Sequence, residues 1–167
     1  MLLTSDLTGS QTYRKSKRLA DIYSMEEKDR YAHLNMGLLG EAICLTKLLK
    51  MGVPCNFVYL QKTDILAIDN NKPVRVQVKS SKYRRAYERK SRGYWTYHFS
   101  VCSGRLPKVP LTKKDCDIVA LVAIDIEKVL FFNVGFFGKG LTKRIHPSKF
   151  SEDCEKESWT KSLIGTN

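Results

Sequence analysis

The stretch Thr63-Asp64-Ile65-Leu66-Ala67-Ile68-Asp69-Asn70-Asn71-Lys72-Pro73-Val74-Arg75-Val76-Gln77-Val78-Lys79 decides the fold. Two alternating runs, 64–69 and 74–79, flank an Asn-Asn pair, the composition of two strands joined by a turn. Successive strand side chains point to opposite faces. Val74, Val76 and Val78 therefore share one face, and Arg75, Gln77 and Lys79 the other. In the first run Asp64, Leu66 and Ile68 share a face. A two-residue loop at Asn70-Asn71 pairs Asp69 with Lys72 and, stepping back along both strands, Asp64 with Gln77. A four-residue loop from Asp69 to Lys72 gives the same register. Directly opposed residues lie on one face, so either loop gathers Asp64, Gln77 and Lys79 into one patch. A loop with an odd residue count would slip the register by one and reverse the faces.

Upstream, a helical pattern runs from about Met25 to Lys50. Ser24 and Glu27 have the spacing of a capping box, and Gly52 and Pro54 end the pattern. Gly37 and Gly40 are expected to divide it into two helices. Leu34, Leu38, Leu45, Leu48 and Leu49 follow the spacing of a buried stripe, and Glu41 falls on that stripe. A buried carboxylate is costly unless paired or bound to a metal. Glu41 is thus either bonded to a lysine or amide at the stripe's edge, or aimed from the helix at the sheet patch.

Downstream, Phe57 to Leu60 reads as a short strand and Tyr94 to Val101 as another, rich in aromatic and β-branched residues. Ile118 to Ile124 is continuously apolar, the pattern of a strand covered on both faces. Val129 to Val134 reads as its hairpin partner. Gly135, Gly138 and Gly140 mark a loop, and Ser151 to Leu163 a closing helix. The order predicts an α+β domain with a mixed or antiparallel central sheet flanked by helices. The 167 residues suit a single core. We divide them into an N-terminal arm or short helix (1–23), the main domain (24–150) and a C-terminal helix and tail of that domain (151–167).

A net charge of +12 and a pI near 9.5 predict a polyanionic partner, nucleic acid or an anionic membrane. From Lys72 to Arg92 nine basic residues stand against Glu88 alone. No amphipathic apolar stripe runs through that segment, which disfavours a membrane surface. Ile118 to Ile124 is too short to span one, and Met1 to Ser10 lacks the pattern of a signal peptide; a cytoplasmic protein is expected. Five cysteines without CxxC spacing and three histidines argue against a disulfide framework or a zinc site. The thiols are expected to be buried or idle.

Gly40-Glu41-Ala42 on a helix, Asp64 within Thr63-Asp64-Ile65-Leu66-Ala67, and Gln77-Val78-Lys79 after a hairpin together resemble the PD-(D/E)XK nuclease core. The likeness spans about Gly37 to Ser81 and extends more loosely to Ile118–Val134. Within that superfamily the chain is most similar to group I intron-associated homing endonucleases, which also carry QxK in place of ExK. Archaeal-type Holliday junction resolvases are a more distant likeness. Thr63 stands where the name-giving proline would be. Gln77 replaces the usual acid, offering a carbonyl but no charge, which argues against a fully populated second metal site.

The resemblance implies a restriction-endonuclease-like fold that hydrolyses DNA phosphodiesters with Mg²⁺ or Mn²⁺. By position it implies metal ligation by Asp64, Gln77 and the Val78 carbonyl, with Glu41 as a further ligand and Lys79 orienting or activating water. Carboxylates suit Mg²⁺, and a Lewis acid with an ammonium meets the needs of the hydrolysis. Ser80, Ser81, Lys82, Arg84, Arg85, Arg89, Lys90 and Arg92, with Arg75, are the expected contacts to double-stranded DNA. Tyr94 and Trp95 are assigned to the core. Lys108, Lys113, Lys114, Lys139, Lys143 and Arg144 are weaker contacts on later loops. Cutting both strands most simply requires a symmetric homo-oligomer, a dimer or tetramer, in the host cytoplasm if the gene is phage- or intron-borne. The alternatives are a resolvase or other structure-specific nuclease, and a DNA-binding module of the same fold without catalysis.

Overall fold

In the computed structural model, residues 27–60, 62–85, 95–104 and 106–164 are described. The 1–23 arm and the Ser24 cap lie outside them, as do Tyr94, Arg89, Lys90 and Arg92. The chain divides into two compact units, Met1–Asn35 and Met36–Asn167. The described part of the first, 27–35, is helical.

The first helix among the described residues, α1, is Glu27–Lys50. It runs unbroken through Gly37 and Gly40, contrary to the expected division. A helical glycine costs only about 1 kcal/mol relative to alanine, which packing of the helix outweighs. The buried face also differs from the leucine stripe. Gly40, Ile43, Cys44 and Leu48 are buried, with Met36 and Leu45 packed beside them. Leu34, Leu38 and Leu49 are 64%, 63% and 52% exposed. The leucines are spread around this helix, so their spacing could not select the face. Glu41 borders the buried stripe and is half-buried.

Among the described residues ten strands follow: β1 (Cys55–Leu60), β2 (Thr63–Asp69), β3 (Lys72–Ser81), β4 (Tyr83–Arg85), β5 (Trp95–Ser100), β6 (Cys102–Ser103), β7 (Val109–Pro110), β8 (Ile118–Ala123), β9 (Lys128–Asn133) and β10 (Thr142–Ile145). Helix α2 (Cys154–Ser162) comes last. A central five-stranded sheet has the order β1-β2-β3-β8-β9. It is mixed, because β3 and β8 are parallel while the other neighbours are antiparallel. A parallel pair needs a crossover connection, and the chain between β3 and β8 builds β4 to β7 on the way. The glycine-marked loop after β9 instead begins with a 3-10 turn, Val134–Phe137, and leads into β10. β10 pairs with β5, and β5 with β4.

Every residue of β8 is buried, as its unbroken apolar run predicts. Ile118, Ala120 and Val122 join Val74, Val76, Val78, Ile65 and Ala67 in one core, with Ile43, Cys44 and Leu48 of α1 and Trp159 of α2. Val119, Leu121 and Ala123 face a second core with Tyr97, Phe99 and Ile145 of the smaller sheet. Helix α2 seals the edge strand β9. Val129 N–H donates to Glu155 Oε1 at 3.4 Å, and Phe131 N–H to Ser158 Oγ at 3.1 Å. The Glu155 carboxylate lies between Lys47 at 3.4 Å and Lys128 at 3.5 Å. All five cysteines are free, and all but the half-buried Cys55 are buried. Among the described residues no helix is long and apolar enough to cross a membrane.

Candidate active site

The turn between β2 and β3 fixes the site. Asn70 (φ 48°) and Asn71 (φ 62°) occupy the left-handed region, which asparagine tolerates and a tight hairpin requires. Asp69 pairs with Lys72, and the ladder continues to Ile65 opposite Val76. The next step sets Asp64 against Gln77. The Asp64 carboxylate reaches across: Oδ2 accepts the backbone N–H of Val78 at 2.6 Å and the side-chain amide of Gln77 at 2.5 Å. The same amide also donates to the Val78 carbonyl at 3.4 Å. Gln77 is buried, while Asp64 and Lys79 are half-buried.

Helix α1 brings Glu41 to this patch through a close crossing. A Cβ at Gly40 would lie 2.6 Å from the Cβ of Ser80. Only glycine permits that approach. Ser80 Oγ donates to the Met36 carbonyl at 3.2 Å, tying β3 to the helix. Burial raises the Glu41 pKa and the charge of Asp64 raises it further, while Lys79 opposes both. Burial likewise raises Asp64, offset in part by the Val78 N–H and by Lys79. Glu41, Asp64, Gln77 and Lys79 thus form one electrostatic cluster.

Cys44, fully buried and one turn from Glu41, carries no signal in the sequence. Burial, then the neighbouring Cys55, Asp64 and Glu41, push its thiol far up. It is a neutral packing group, since a metal ligand or nucleophile must be a thiolate.

Among the described residues no three His, Cys, Asp or Glu side chains gather as a metal cage. Two carboxylates whose ionised forms are disfavoured by burial, with a backbone carbonyl and an amide beside them, are a different donor set. It fits Mg²⁺, which takes one or two carboxylates and completes its shell with water and phosphate.

Three of the expected DNA contacts are engaged elsewhere. Arg75 donates to both Asp117 oxygens, from Nε at 3.1 Å and from Nη2 at 2.9 Å. Its guanidinium also holds the carbonyls of Lys113 and Lys114 at 2.6 Å and 2.9 Å. These bonds pin the segment leading into β8, so Arg75 is withdrawn from the DNA-contact set. Ser80 is committed to α1. Ser81 is buried and accepts the His98 N–H at 3.2 Å, joining β3 to β5. Arg75 and Ser80 donate to partners, and Ser81 accepts from one, that the sequence does not show. Lys82 is exposed, and Arg84 and Arg85 fall on β4. Arg75→Ala is expected to lower unfolding stability by about 2 kcal/mol, since its charge-assisted bonds are lost and Asp117 keeps the backbone N–H of residue 75 but not the guanidinium. The urea midpoint measures this. The salt dependence of DNA binding should stay as in the parent.

No family model matches the chain, and no curated protein matches it. Among solved structures, the chain is similar to a bacterial homing endonuclease, I-Ssp6803I, with a TM-score of 0.57 and 18% identity over 77% of this chain and 91% of that one. The likeness is one of fold: a central mixed five-stranded sheet with two helices.

Proposed function

We propose that the chain is a metal-dependent DNA endonuclease of the PD-(D/E)XK type, acting as a site-specific homing-type enzyme. One observation carries this: Asp64, Gln77, Lys79 and Glu41, from two strands and a helix, act on one another in a single half-buried patch. The fold it shares with a protein described as a homing endonuclease supports it, as does the +12 charge.

Asp64, Glu41, the Val78 carbonyl and Gln77 would hold Mg²⁺ or Mn²⁺. When bound, the ion supplies Lewis acidity toward the scissile phosphate and its attacking water. Lys79 places an ammonium beside the carboxylates, where it neutralises charge developing on the phosphate oxygens and orients the water. The Val78 N–H holds Asp64 Oδ2 in place. Gln77 donates its amide to two of the would-be ligand oxygens, so it must turn to offer its own carbonyl. Lys82 and the basic segment after it would track double-stranded DNA. Self-association into a dimer or tetramer would supply a site for each strand, and the exposed Leu38, Leu39 and Leu49 of α1 offer an apolar surface for it.

A second reading, a DNA-binding module without catalysis, is favoured by the Gln77 amide lying between Asp64 and the Val78 carbonyl. Incubation with DNA flanking the chain's own gene separates the two. The enzyme cuts at one long site with Mg²⁺ and not with EDTA, and binds less tightly as salt rises; the module shows the binding alone. A structure-specific nuclease would prefer four-way junctions to linear duplex.

Gln77→Glu tests the ligand set directly. It adds a charge beside Asp64 and Glu41, so the melting temperature in EDTA should fall at neutral pH. The rise on adding Mg²⁺ should exceed that of the parent in the same thermal scan. An unchanged Mg²⁺ increment would contradict a ligand role at this position.

A further inference from the structure

A groove of about 690 Å³ lies between β9, β10 and α2. It is separate from the candidate site. Gln77 pairs with Val119 and Val119 with Phe132, so the fully buried β8 stands between them. Lys143, Lys149 and Lys161 line the groove, and among the described residues its only carboxylate is Glu157, itself 3.7 Å from Lys161. Phe136 is 57% exposed at its wall. That ring stacks on Phe132, with centroids 4.9 Å apart and planes 28° from parallel, and the Lys143 ammonium sits 4.5 Å over its centroid.

We infer that this groove binds an unpaired nucleotide strand, with a base stacked on Phe136 and the adjoining phosphates on the lysines. A duplex presents phosphates but hides its base faces, so cations alone would serve it. An exposed aromatic ring stacked on a second ring, with one ammonium over it and two more lysines along the same groove, is the combination that single strands use. Lys143 now occupies the ring face by an exposed cation–π contact, which is weak. A base takes that place, and the released ammonium meets the phosphate. The inference extends the nuclease proposal, giving the enzyme a contact for a displaced or unpaired strand next to its duplex. It uses none of the candidate catalytic residues.

Fluorescence anisotropy in EDTA tests it on the full chain, with a short labelled single strand and a blunt duplex of the same sequence. Phe136→Ala should weaken single-strand binding on the order of tenfold and leave duplex binding unchanged. Phe136→Tyr, which keeps the ring, should bind the single strand like the parent. Equal single-strand binding by Phe136→Ala and the parent would overturn the inference. So would an equal loss on both probes, which would mark a merely structural ring. Binding of a short poly-glutamate peptide that depends on Phe136, where single-strand binding does not, would assign the groove to an acidic protein segment and also overturn it. Cleavage plays no part in the readout. A chain that never cuts DNA yet shows the expected pattern loses the nuclease proposal and keeps the groove.

Discussion

Asp64→Asn is expected to abolish the proposed DNA cleavage and, without added metal, to raise the melting temperature at neutral pH. The loss of activity should reach at least the order of 10³-fold, the scale seen when a group that stabilises transition-state charge is removed. The gain in stability follows from linkage. Burial, the largest cause, raises the folded-state pKa of Asp64. The folded chain therefore holds this proton more readily than the unfolded one. The stability this provides is fully present below the ordinary carboxylate value of about 4, and is lost as pH rises through the raised folded value. Above that value an ionised Asp64 carboxylate sits where burial disfavours it. Asparagine removes that charge without losing the local bonds, because Val78 N–H and the Gln77 amide both reach one oxygen, Oδ2. Thermal scans in EDTA should show the variant melting higher at neutral pH, with the gap closing toward pH ~4. Glu41, raised for the same first cause, gives the same sign. Mg²⁺ should reverse the order by stabilising the parent alone. A variant that melts lower than the parent at neutral pH in EDTA would contradict the account.

Gly40→Ala should both destabilise the chain and displace Glu41. Helix propensity alone would favour alanine by about 1 kcal/mol. Against that, the new Cβ would sit 2.6 Å from the Cβ of Ser80. That atom is fixed to a strand backbone and has no rotamer to escape into. Overpacking of this kind costs about 1–3 kcal/mol, so the clash is expected to win. The only relief is for α1 to move off β3, which breaks the Ser80–Met36 bond and carries Glu41 away from Asp64. Activity should therefore fall further than the lost stability explains. Ser80→Gly removes the opposing Cβ, so the double variant should recover most of both losses. Urea unfolding and cleavage rates on the four proteins of that cycle measure the coupling. Additive losses would show that the crossing does not position Glu41.

The hairpin was legible because its information is local. Alternation sets the faces, the Asn-Asn turn sets the register, and together they place Asp64 opposite Gln77 without any distant contact. The all-buried β8 was legible for a similar reason, since an unbroken apolar run needs cover on both faces. Helix α1 was legible as a helix but not in its orientation. Leu34, Leu38 and Leu49 point to solvent, while Gly40, Ile43 and Cys44 face the sheet. Glu41 reaches the patch from beside the buried stripe, where the spacing of the leucines had put it on the stripe itself. Arg75, Ser80 and Ser81 illustrate what a sequence cannot show. A donor suited to phosphate is equally suited to a carboxylate or carbonyl, as Arg75 and Ser80 are to Asp117 and Met36, and a serine hydroxyl can equally accept, as Ser81 does from the His98 N–H; all three partners are distant in the chain. β4 and β10 escaped notice because each is short and is ordered by pairing with β5.

Plasmid cleavage by the parent and Lys79→Ala, side by side in Mg²⁺ and in EDTA, tests the central claim most directly. Lys79 lies next to Val78 on β3 and acts on both carboxylates of the patch. The parent should cut in Mg²⁺ and not in EDTA. Lys79→Ala should bind the same DNA with little loss and fail to cut it in either buffer. Cutting by Lys79→Ala at the parent's rate, or cutting by the parent in EDTA, would contradict the assignment of catalysis to this patch.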